Sequence, residues 1–276
     1  MTNRFQPHAN YTTEHYEVMV EDNQSFHFET GIPLLSVHKG WRRGNIHFFL
    51  GASGMGKSTL LRTLLVDALN LNNQKINIGV VLSEETAEQF LTEFNVTGKL
   101  THYTKNLYFL PELDRPDIRT PQMWLSEVEK MVTENKIDIL FYDNLTTSKL
   151  YTNMAVNEQG RYFLAMKALI KRLNVPFVCV GHTGTGINEN FTGLIDGDHL
   201  RGNKTPLNVS EFFYVIQTVF VGETRHTVIR ITKHRAQNPA HKFFKAFYYM
   251  NARMFGKFEP LDFEVFKEIF KGRNKL

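Results

Sequence analysis

Gly51-Ala52-Ser53-Gly54-Met55-Gly56-Lys57-Ser58 lies between an apolar run, Ile46 to Leu50, and a helix-like run, Thr59 to Leu71. The spacing is that of a P-loop. Its glycines allow a tight turn whose backbone N–H groups face a β-phosphate, and the following helix adds its positive N-terminus. Lys57 can then reach the β/γ oxygens while Ser58 holds Mg2+. Gly51, Ser53, Gly54, Met55, Gly56, Lys57, Ser58 and Thr59 are therefore the candidate nucleotide-binding residues. A strand, a glycine-rich turn and a helix in this order point to an α/β fold built on a mostly parallel sheet.

Downstream of the P-loop helix, the β-type run Ile76 to Leu82 ends in Ser83-Glu84-Glu85. Doubly wound sheets place their ligands at the carboxyl ends of strands, so Glu84 is a candidate for the base that orients an attacking water. The alternative is that Glu84 and Glu85 merely open the next helix, Thr86 to Phe94, where acids suit the dipole. Leu107 to Leu110 is a short strand candidate. Thr120 with Pro121 caps a helix whose buried face carries Trp124, Val128 and Met131.

The apolar run Ile137 to Tyr142 then delivers Asp143 to a strand tip, as in a Walker B strand, where the carboxylate can hold Mg2+ together with Ser58. Asp138 enters that strand too early to reach the tip. Leu145 to Asn157 reads as a polar loop, and Tyr162, Met166, Leu169 and Leu173 mark a core-packing helix.

Val175 to Gly181 is a further buried strand, ending at His182. That histidine is either structural or, if its strand neighbours Walker B, a contact to the γ-phosphate. Gly184 to Pro206 is a long glycine-rich loop of the kind that is usually functional. Phe212 to Val221, Thr227 to Thr232 and Phe243 to Met250 suggest antiparallel extension of the sheet. Leu261 to Lys271 reads as a closing amphipathic helix with Phe263, Phe266 and Phe270 on one face.

The chain has 276 residues and a net charge of +4, which leans basic without establishing a nucleic-acid partner. Between Arg225 and Tyr249 there are six Lys or Arg residues and no acid, a run whose plain reading is a solvated strand face. The single cysteine, Cys179, sits in an apolar run and reads as a small buried hydrophobe, which excludes an internal disulfide framework and a cysteine-based zinc site. No stretch reads as a signal peptide or a membrane span, so a soluble cytoplasmic protein is expected. Residues 1–30 read as an arm that packs on its own domain or reaches a neighbour, 31–255 as the nucleotide-binding domain, and 256–276 as a basic C-terminal helix and tail.

These residues resemble the RecA-like ATPase core of the DnaB-type hexameric replicative helicases, in particular the helicase half of phage primase–helicase proteins. The likeness spans roughly Thr30 to Arg253. It rests on the Gly-Met-Gly-Lys-Ser P-loop, Leu82-Ser83-Glu84-Glu85, Tyr142-Asp143, Leu173-Asn174-Val175-Pro176 before His182, Leu200-Arg201-Gly202, and Lys233-His234-Arg235, in the family's order. The resemblance implies a ring-forming, ATP-driven helicase, encoded by a phage or plasmid, that translocates on single-stranded DNA with Mg2+ as cofactor.

In that scheme Glu84 is the catalytic carboxylate and His182 the γ-phosphate sensor. Arg201 and Gly202, with Asn203 or Lys204, line a central channel. Lys233 and Arg235 reach the neighbouring subunit's site, Arg235 as an arginine finger. A separate primase or loader is an implied partner. The chain departs from the family in carrying no primase module or helical collar before the core and no acidic tail after it. The alternative is a RecA-, RadA- or KaiC-like ATPase that binds DNA or protein without unwinding.

Overall fold

In the computed structural model the described residues are 27–28, 30–36, 40–72, 75–95, 104–184, 186–187, 191, 193–221, 224–235, 242–249 and 254–272. The chain runs through β1 (His27–Phe28), α1 (Pro33–Ser36), β2 (Trp41–Arg42), β3 (Ile46–Gly51), α2 (Lys57–Leu71), β4 (Ile78–Leu82), α3 (Ala87–Asn95) and β5 (Leu107–Pro111). It continues through α4 (Pro121–Glu134), β6 (Ile139–Asp143), α5 (Lys149–Thr152), α6 (Val156–Leu173), β7 (Phe177–His182) and α7 (Thr205–Val209). The last elements are β8 (Phe212–Val221), β9 (Thr224–His234), β10 (Phe243–Tyr249), β11 (Met254–Pro260) and α8 (Phe263–Gly272). The arm expected at residues 1–30 falls mostly outside the described residues.

Nine strands form one sheet in the order β11-β10-β9-β8-β3-β7-β6-β4-β5. Every pairing from β8 to β5 is parallel, and β9, β10 and β11 extend the sheet antiparallel. The fold is thus α/β, with a mostly parallel central sheet flanked by helices and antiparallel strands toward the C-terminus. Residues of β3, β4 and β6 are buried throughout, as expected of parallel strands covered on both faces.

On one face α2 and α3 supply Leu61, Leu64, Leu65 and Phe90, and on the other α4 and α6 supply Trp124, Val128, Tyr162, Phe163 and Met166. Each such side chain contributes about 1.5–3 kcal/mol on burial, so packing rather than intrinsic propensity holds these helices. The Thr120 hydroxyl accepts from Met123 N and Pro121 occupies the first turn, as the sequence predicts. α6 stops at Asn174, whose φ of 54° is left-handed, two residues before Pro176.

The chain leaves β3 toward β4 and leaves β7 toward β8, on opposite sides. The crevice outside the carboxyl ends of β3 and β7 is therefore a topological switch point, where open α/β sheets hold ligands. The P-loop and His182 both open onto it.

Three expectations need correction. Leu145 to Asn157 is no plain loop: a 3-10 turn and α5 bury Leu145, Thr146 and Tyr151. β8 pairs parallel with β3, so the antiparallel extension begins only at β9. Residues 256–276 are not a helix and tail alone: β11 adds an edge strand that the sequence does not announce, because Gly256 and Lys257 break its alternation, yet Phe255 and Phe258 are buried. No helix among the described residues is long and apolar enough to cross a membrane.

Candidate nucleotide site

Gly51 ends β3, and the loop that follows turns through Gly54 and Gly56 at φ of 75° and 87°, conformations that side chains with a Cβ rarely adopt. Ser53 and Gly54 are exposed at the lip, whereas Met55 is buried in the core and does not line the cleft. Lys57 opens α2 with its Nζ donating to Ala52 O at 2.7 Å. Burial pulls its pKa down to about 8, against the opposing pull of Asp143 and Glu84. Ser58 and Thr59 line the same cleft, which has a volume of about 390 Å3.

Asp143, at the tip of β6, is 5% exposed, and neither carboxylate oxygen has a well-formed hydrogen bond among the described residues. Burial pushes its pKa up, while Ser58, Arg62 and Lys57 draw it back. A buried carboxylate in this condition is costly unless a cation completes it. It stands beside Ser58, so this pair fits a Mg2+ ion that takes its remaining ligands from water and phosphate. Among the described residues no group of three or more His, Cys, Asp or Glu side chains forms a metal cluster.

The tips of β4 and β6 are tied together. Ser83 Oγ donates to Asn144 O at 2.7 Å and accepts from Asn144 N at 3.0 Å. Glu84 follows at once, half exposed in the cleft, with Oε1 4.0 Å from His182 Nε2. Burial and the neighbouring Lys57 lower the His182 pKa to about 4, with Glu84 opposing and Arg201 adding to the shift. The imidazole is therefore neutral at physiological pH. Glu85 instead faces Arg62, 3.3 Å away, which separates the two glutamates that the sequence leaves side by side.

Four lining residues escape the sequence reading: Arg225, Thr227, Tyr248 and Phe255. Arg225 Nη2 donates to Gly54 O at 3.3 Å, and Phe255 N donates to Thr63 Oγ1 at 3.0 Å, so β9 braces the P-loop and β11 braces α2 behind it. Arg225 is visible in the sequence only as one of six basic residues, and no local signal brings β11 to the P-loop.

Of the candidate channel residues, Arg201 is exposed, and its guanidinium makes no hydrogen bond or ion pair among the described residues. The other three hold the loop. Gly202 has φ of 80°, and a Cβ there would lie 2.5 Å from Gln159 Oε1. Asn203 Nδ2 donates to Val156 O at 2.7 Å, and Lys204 Nζ donates to the carbonyls of Asp198 and Leu200. The loop is joined to the phosphate cleft by backbone, with Arg201 N donating to His182 O at 2.9 Å.

Lys233 and Arg235 do not join the site. Lys233 Nζ donates to Leu207 O and Asn208 O, both at 2.6 Å, and Arg235 Nη2 to Asn208 O at 2.6 Å. His234 pairs with Phe212, which pairs with His47 near the start of β3, so both cations lie at the amino end of the sheet. At the rise of an extended strand, Arg235 is roughly 30 Å from Arg225. Comparison with models of known protein families and with curated proteins gives no match for this chain.

Proposed function

We propose that this protein is a RecA-like P-loop ATPase that works as a ring-forming motor on single-stranded DNA, a helicase of the DnaB type. The observation that carries the reading is the convergence of Lys57, Ser58, Glu84 and His182 on one cleft at the switch point of the sheet, with Asp143 buried beside Ser58 at its edge. In the reaction Lys57 exchanges the Ala52 carbonyl for phosphate oxygens. Glu84 orients the attacking water and accepts its proton. Neutral His182 hydrogen-bonds the γ-phosphate and transmits its loss through its own backbone to the Arg201 loop. Ser58 and Asp143 would hold Mg2+, which neutralises charge on the β/γ oxygens when bound. The outer cleft, between Arg225 and Tyr248, suits the base and sugar.

Arg235 lies at the opposite end of the sheet from its own cleft, so any part it takes in hydrolysis is played in trans. Hydrolysis of ATP measured with and without single-stranded DNA, with the oligomer sized in parallel, tests the proposal. Stimulated hydrolysis by a ring is expected, and a monomer indifferent to DNA contradicts it. Strand separation on a forked substrate distinguishes the helicase from a RecA-, RadA- or KaiC-like ATPase.

A further inference from the structure

A second cleft, larger than the first at about 590 Å3, lies between the N-terminal ends of α4 and α6. Arg119 and Arg161 stand on its two sides. Both are exposed, and neither guanidinium forms a hydrogen bond or ion pair among the described residues. The contrast with nearby arginines is sharp: Arg115 pairs with Asp117 and Glu127, and Arg172 with Glu129. The wall between them is apolar, built from Leu150, Met154 and Tyr162. Glu158, the carboxylate in the lining, accepts from Ala155 N at 3.0 Å. The cleft thus presents two uncommitted cations beside an apolar surface, which suits a chain of phosphates carrying flat bases.

One buried side chain joins this cleft to the Arg201 loop. Gln159 Oε1 accepts from Asn203 N at 3.1 Å, while its Nε2 donates to Tyr151 O at 3.1 Å and to Met154 O at 3.3 Å. Arg161 follows Gln159 by two residues on α6, about 3 Å of helical rise. The loop and the cleft wall are therefore held in register by the same amide.

We propose that the cleft is a second contact for the single strand, with phosphates on Arg119 and Arg161 and a base against Leu150 and Met154, continuing the path that begins at Arg201. This rests on the nucleic-acid reading above. The continuity with the Arg201 loop favours nucleic acid over an acidic peptide.

The test is fluorescence anisotropy with a labelled oligothymidylate, titrated at several salt concentrations, for the wild type, Arg201→Ala, and the double variant Arg119→Ala/Arg161→Ala. Both arginines are exposed, so circular dichroism should show the double variant folded. The double variant is expected to bind more weakly, with its salt slope reduced by about 1.4, or 0.7 for each lost contact to a single strand. If the wild type binds and Arg201→Ala weakens binding while the double variant matches the wild type in affinity and slope, this assignment fails and the nucleic-acid reading stands. If the wild type binds no oligothymidylate, both fail. Binding of an oligoglutamate peptide that the double variant loses, with oligothymidylate binding unchanged, also overturns it in favour of a protein partner.

Discussion

Asp138 and Asp143 flank the two ends of β6, and their surroundings differ in kind. At the amino end Asp138 accepts from Arg43 at 3.2 Å and from Asn77 N at 3.0 Å, and nearby Glu211 accepts from Lys167 at 2.7 Å and Ile46 N at 2.9 Å. At the carboxyl end Asp143 is buried without a well-formed hydrogen bond, and Lys57 is held at a depressed pKa. Where carboxylates are satisfied, the sheet is being held together. Where one is buried and left incomplete, the fold carries a cost that a ligand can offset. The cations at the amino end, Lys233 and Arg235, rest on backbone carbonyls, which is a weaker commitment than an ion pair.

The largest expected effect comes from joining the two ends. Arg235→Ala should lower hydrolysis by about 10³ or more, the range of arginine fingers in other P-loop NTPases, while leaving ATP bound. Steady-state hydrolysis and equilibrium nucleotide binding read the two quantities separately, and near wild-type turnover would return Arg235 to a surface role.

Next, Asp143→Asn should reduce hydrolysis by about 10² to 10³. The same change should raise the melting temperature of the ligand-free protein. Burial raises the Asp143 pKa, so ionising it costs the folded state stability as pH rises above the free-carboxyl range, and the amide removes that cost. Asp138→Asn should do the reverse, keeping hydrolysis near wild type and losing about 1 kcal/mol of stability in denaturant melts. Equal behaviour of the two variants would break the comparison.

A pH dependence of stability follows from His182. Its folded pKa of about 4 lies below the free value of 6.5, so the unfolded chain binds the extra proton first, and stability falls as pH drops from 6.5 toward 4. At about 1.4 kcal/mol per unit the contribution reaches roughly 3 kcal/mol at pH 4. His182→Gln should flatten that limb of the stability profile. An unchanged acid limb would mean that the imidazole is less enclosed than it stands here.

The parallel half of the fold was legible because its signals are local. The P-loop, the apolar run ending at Asp143 and the Thr120-Pro121 cap each declare themselves within a few residues. The antiparallel strands β9 and β10 were legible as strands, but their part in the site was not, since it depends on pairing. Arg225 reaches Gly54 only because β9 runs back along β8, and Phe255 reaches the P-loop only because β11 closes the edge. Asn203 and Lys204 look like ligand residues in sequence, yet their side chains are spent on holding their own loop.

The most direct test mixes Lys57→Ala subunits with Arg235→Ala subunits. Each should be inactive alone, one for lack of the phosphate-binding ammonium and the other for lack of the trans cation. In a shared ring some interfaces pair an intact P-loop with an intact Arg235, so hydrolysis should partly return on mixing. Mixed rings that form, shown by sizing, and yet stay inactive would contradict the claim that the two ends of the sheet make one active site.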